Sequence, residues 1–163
     1  MRSITLIIIH CSAVRPWQQS SAKDIDNWHK AKGWNGNGYH FVVRRDGSIE
    51  TGRAIEKPGA HCVNHNRYSI GVCYEGGLDS SGAETDTRTP EQRVALRQLI
   101  ADLHRRFPRA VIVGHRDLNP GKKCPCFEAA VEYQEFQPSF NPTSFSFCHQ
   151  KENRSKRKSA KTS

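Results

Sequence analysis

The stretch Ser3-Ile4-Thr5-Leu6-Ile7-Ile8-Ile9-His10 decides how the chain folds. It is rich in β-branched residues and shows no polar/apolar alternation, the pattern of a strand buried on both faces inside a sheet. A histidine stands at its C-terminal end. The apolar run of residues 4–9 is too short for a signal-peptide core and passes directly into a polar segment. With no signal peptide and no stretch approaching a membrane span, the chain is expected to stay in the cytoplasm until something else releases it.

A second apolar run at residues 110–113 delivers Gly114-His115-Arg116-Asp117 just past its end. Sites in open α/β sheets form where strand C-termini converge, so two histidines leaving two buried strands are placed to meet. Between them the sequence predicts a helix over 22–32, capped by Ser20 or Ser21, stopped at Gly33, with Ile25 and Trp28 on its apolar stripe. Residues 39–44 and 48–51 flank Arg45-Asp46-Gly47, a hairpin signal, and Tyr39 opens the first of these strands. A loop over 54–67 leads to a strand at 69–75. Thr89-Pro90-Glu91-Gln92 has the hydroxyl, proline and Gln of a capping box. Leu96, Leu99, Ile100, Leu103 and Phe107 follow at helical spacing. Residues 119–127 read as a Pro/Gly-punctuated loop and 128–136 as a short closing helix.

A chain of 163 residues with 36% apolar content builds one domain. Residues 1–136 are the expected domain, and 137–163 an expected disordered basic tail. The tail holds six Lys or Arg against one Glu, +5 of the net +9, which leaves +4 for the remainder. Basic residues in the first 136 positions are scattered, without a zinc-finger, RNP or basic-zipper pattern, so nucleic acid is not the expected partner. An anionic wall polymer suits the tail's charge, and so does plain solvation.

Cys11, Cys62, Cys73, Cys124, Cys126 and Cys148 are irregularly spaced and read as free thiols plus one metal ligand. Catalytic zinc keeps three protein ligands and an open fourth position. His10, His115 and Cys124, nine residues after His115, supply such a set. Cys124-Pro125-Cys126 is not a Cys-x-x-Cys pair and has no second pair to join, which argues against a structural zinc module; Cys126 stays a second thiol within reach. Cys11, next to a ligand, should point to the opposite face of its strand.

Several segments stand in one order: Ile7-Ile8-Ile9-His10-Cys11-Ser12, Gly38-Tyr39-His40-Phe41-Val42-Val43, Gly59-Ala60-His61 with His65-Asn66, Ser69-Ile70-Gly71-Val72, Gly114-His115-Arg116-Asp117 and Lys122-Lys123-Cys124-Pro125. In this the chain, over about residues 3 to 128, resembles the zinc-dependent N-acetylmuramoyl-L-alanine amidases of the phage T7 lysozyme type, relatives of peptidoglycan recognition proteins. The resemblance implies a single α/β domain with a mixed, mainly parallel central sheet flanked by helices. It implies His10, His115 and Cys124 as Zn2+ ligands, Tyr39 and Lys122 as catalytic side chains, and His61 and Asn66 along the substrate groove. The implied activity is hydrolysis of the amide between N-acetylmuramic acid and L-alanine in peptidoglycan, by a phage or prophage endolysin that waits for a membrane pore. The alternative is a recognition module that binds peptidoglycan without cutting it, a state commonly marked by loss of the ligand cysteine that is present here. A family member also binds its phage's RNA polymerase; no residue here points to that partner.

Overall fold

The computed structural model describes residues 1–139, so most of the expected tail lies outside the described residues. Five strands form one mixed sheet in the order β3-β2-β4-β1-β5. They are β1 (Leu6–Cys11), β2 (Phe41–Val43), β3 (Ile49–Thr51), β4 (Ser69–Tyr74) and β5 (Val111–Gly114). β1 lies between β4 and β5 and is parallel to both, β2 is parallel to β4, and only the β2–β3 hairpin is antiparallel. The expected α/β fold is the observed one.

β1 is central, and its side chains alternate between two buried environments, as strand geometry requires. Ile7, Ile9 and Cys11 join Ile70, Val72, Tyr74 and Ile112 in the larger core, which helix α2 (Pro90–Arg106) covers with Leu96, Leu99, Ile100 and Leu103. Truncating one of these fully buried leucines or isoleucines to Ala costs about 2–5 kcal/mol. The capping box at Thr89 and Gln92 is made as predicted. On the other face, helix α1 (Ala22–Ala31) sets Ile25 against Val42 and Cys73. Ser21 caps α1, and its residue buried beside Ile25 is His29, not Trp28, which is 43% exposed. His29 is drawn inward because its Nδ1 accepts the Gly38 N–H at 2.8 Å.

Tyr39 stands just before β2 and does not open it, since its N–H is turned to the Asn37 side chain at 2.9 Å. The expected closing helix is split into α4 (Ala129–Glu132) and a 3-10 turn, Gln134–Phe136. Arg88 anchors this segment. Its side chain is 1% exposed, reaches Asp86 and Glu132 with both ends of its fork, and lies 3.3 Å over the Phe127 ring. Gln137, first residue of the expected tail, belongs to the folded unit: its side chain accepts from Ile112 N at 2.8 Å and donates to Ile112 O at 2.7 Å. Among the described residues no helix is long and apolar enough to cross a membrane.

Candidate active site

His10 is the fifth residue of β1 and so shares the α1 side of the sheet with Cys73, its register partner on β4. β5 ends at Gly114, and His115 begins the four-residue helix α3 (His115–Leu118). A side chain at Gly114 would collide with the Pro125 ring, with a Cβ only 2.7 Å from its Cδ. Glycine there lets the loop of residues 119–127 fold back against the end of β5, where Arg116 N–H donates to Cys124 O at 2.8 Å. That contact carries Cys124 to the two histidines.

The donor atoms of His10, His115 and Cys124 all lie within 4.8 Å of one another. Cys124 Sγ is 3.8 Å from His10 Nδ1 and accepts the Cys11 N–H at 3.2 Å. A tetrahedral zinc with Zn–N near 2.1 Å and Zn–S near 2.3 Å spaces its N and S donors by about 3.6 Å, so this pair has the span the metal needs. Two imidazoles and a thiol suit zinc and neighbouring transition ions rather than calcium or magnesium. Cys126 is turned away, with its thiol directed to Gly77 O at 3.7 Å. Cys11 points into the α2-side core, opposite His10, as expected.

Burial holds the His10 pKa well below its ordinary value, and the neighbouring His61 and His115 add to the effect. His115 is lowered by burial and then by Lys122. Both rings are therefore neutral at pH 7, the form that ligates metals. Loss of solvation pushes the Tyr39 phenol well above its ordinary pKa, so it keeps its proton. Its ring lies 5.1 Å from that of His10.

Beside the three donors opens a groove of about 600 Å³, lined among others by Tyr39, His61, Asn66, His115 and Lys122. His61 is tied to His10, Nδ1 to Nε2, at 2.8 Å. Asn66 works within its own loop, where Oδ1 accepts from His61 N and Cys62 N at 2.9 and 3.0 Å. Lys122 is exposed at the groove's edge. Lining residues missed from sequence include His29 and Trp34, whose rings meet at a tilt with centroids 4.6 Å apart. The available signal was helical spacing, because His29 follows Ile25 by four residues.

Fold and site together define a single α/β domain with a mixed, mainly parallel sheet and a His2Cys donor set gathered at the C-terminal ends of two parallel strands. Comparison with known proteins makes the class specific. Residues 1–127 match the family described as N-acetylmuramoyl-L-alanine amidase, and the chain belongs to it. It is 41% identical over 122 residues to the endolysin of Klebsiella phage KP32, covering 75% of this chain and 80% of that one. It is 40% identical over 126 residues to the endolysin of Escherichia phage T7, covering 77% and 83%. Among solved structures, N-acetylmuramoyl-L-alanine amidase LysC from Clostridium intestinale superposes with a TM-score of 0.68 at 27% identity, covering 81% and 83%. The chain is accordingly an amidase of the endolysin type acting on peptidoglycan.

Proposed function

We propose that His10, His115 and Cys124 hold a zinc ion, and that Tyr39 and Lys122 serve hydrolysis of the amide joining the lactyl group of N-acetylmuramic acid to L-alanine. The observation that carries this reading is the convergence of the three donors beside a groove that also holds Tyr39 and Lys122. When bound, zinc supplies a Lewis acid that polarises a carbonyl and brings the pKa of water toward neutrality.

The chain's own side chains supply the rest. The Lys122 ammonium, exposed at the groove's edge, stabilises negative charge that develops on the attacked carbonyl oxygen. Tyr39, which keeps its proton, donates a hydrogen bond toward the reacting group. Asn66 fixes the backbone of the groove wall at His61 and Cys62. The basic segment after residue 139 supplements this by attracting anionic wall polymer, and the protein works as an endolysin kept inside the cell until a pore admits it to the wall. Truncation after residue 139 should weaken binding to anionic wall; unchanged binding would assign the segment no such part.

The deciding experiment is digestion of purified peptidoglycan by the protein as isolated, after chelation and after zinc add-back, with products read by mass spectrometry. Peptides with a free N-terminal L-alanine, lost on chelation and restored by zinc, are expected. Intact wall with the protein tightly bound would instead make it a recognition module.

A further inference from the structure

His61 has no position in the three-donor set, yet it is built into the sheet more firmly than a groove-lining side chain requires. Its ring lies over the α1 side of β4. A Cβ at Gly71 would fall 2.6, 2.7 and 2.9 Å from its Cδ2, Cγ and Nδ1, and a Cβ at Gly59 would fall 2.5 Å from Cδ2. Two glycines thus make room for this one ring. Both ring nitrogens are engaged: Nδ1 with His10 Nε2 at 2.8 Å and Nε2 with the buried Ser69 hydroxyl at 3.2 Å. Asn66 holds the His61 N–H at 2.9 Å.

The direction of these hydrogen bonds follows from which nitrogen of His10 faces the donors. Nδ1 is the nitrogen near Cys124 Sγ, so Nδ1 is the one that offers a lone pair to a metal. Its proton must then sit on Nε2. His10 Nε2–H donates to His61 Nδ1, and His61 Nε2–H donates to Ser69 Oγ, a fixed run of single donors and acceptors. Metal-bound imidazoles commonly depend on such a partner for tautomer and ring orientation. Here the partner is a second imidazole rather than a carboxylate, which leaves the site without a further negative charge.

We propose that His61 is a positioning residue for the metal site, locking His10 into the Nε2–H tautomer through the run His10–His61–Ser69. The proposal rests on His10 being a ligand. His61 acts through His10, whether or not it also touches substrate.

The test measures zinc affinity by chelator competition and the visible absorption of the cobalt-substituted protein, for wild type and the variants His10→Ala, His61→Ala, His61→Gln and Ser69→Ala. Loss of a partner of this kind costs about 10-fold to 100-fold in metal affinity. His61→Ala should fall in that range with an altered cobalt spectrum. His61→Gln, whose amide oxygen can accept from His10, should recover part of the loss, and Ser69→Ala should lose less than His61→Ala. Circular dichroism of each metal-free variant confirms that it is folded. A His61→Ala protein with wild-type zinc affinity and cobalt spectrum, and only a raised KM for wall fragments, would overturn the proposal and leave His61 a substrate contact. If His10→Ala itself keeps wild-type zinc affinity, the ligand assignment fails instead.

Discussion

Replacing Arg88 with Ala should lower stability by about 3–4 kcal/mol. Removing one partner of a buried ion pair costs about 3–5 kcal/mol, because the other is left uncompensated. Here the guanidinium is 1% exposed, but Asp86 and Glu132 are 24% and 35% exposed and regain some water, which places the loss at the lower end. The contact with the Phe127 face adds up to about 1 kcal/mol. At roughly 3–5 °C per kcal/mol for a domain of this size, the midpoint of thermal unfolding should drop by about 10–20 °C. Urea unfolding at pH 7 measures the free energy directly. Arg88→Lys keeps the charge without the two-ended fork and should recover less than half of the loss.

The same measurement against pH provides an internal control. Partial burial works to raise the Asp86 pKa but is outweighed by the hydrogen bonds and charge of Arg88, and the Arg88 hydrogen bond leads in lowering that of Glu132. Carboxylates depressed in this way stabilise the fold above their unfolded values, near about 4, and lose that contribution as pH falls through the lower folded values. Wild type and Arg88→Ala should therefore converge in acid. A variant within 1 kcal/mol of wild type at pH 7 would refute Arg88 as the anchor of the segment after Cys124.

Lys122→Ala should retain metal and lose about 100-fold to 1,000-fold in turnover, followed by release of peptides from purified wall; wild-type turnover would remove it from the mechanism. Cys124→Ala should lose stoichiometric zinc, measured by atomic absorption, whereas Cys126→Ala should keep it, and the reverse pattern would exchange the two thiols. The His40 pKa is brought to about 4 chiefly by burial, against the opposing hydrogen bond to Lys57 O. The unfolded chain then binds a proton that the folded one refuses between pH 6.5 and about 4, so metal-free stability should fall as pH drops through that window. His40→Gln should flatten the fall, as read from urea midpoints, and an unchanged slope would place the effect elsewhere.

The main architecture was legible because residues 6–9 of β1 and 111–113 of β5 are apolar runs and α2 carries both halves of its capping box. The meeting of His10 and His115 was legible for a related reason, since both stand at the ends of recognisable strands. What failed to show were contacts made by loops and by polar side chains inside the core. Helical spacing scored by hydrophobicity put Trp28 inward, whereas the Gly38 N–H draws in His29. The loop over 54–67 has no periodicity, so nothing in it announced that His61 would lie against a residue 51 positions earlier. Residues 128–136 read as one helix because Arg88, 44 positions before Glu132, is invisible to local pattern.

The amide of Gln137 gives the sheet an ending. β5 is an edge strand, and an edge with free N–H and C=O groups is a template on which another chain can add a strand. One side-chain amide meets both groups of Ile112 and so stands where a sixth strand would begin. A carboxylate could accept from Ile112 N but not donate to Ile112 O. Gln137→Glu would thus reopen half of this position and leave the domain more prone to self-association through its sheet.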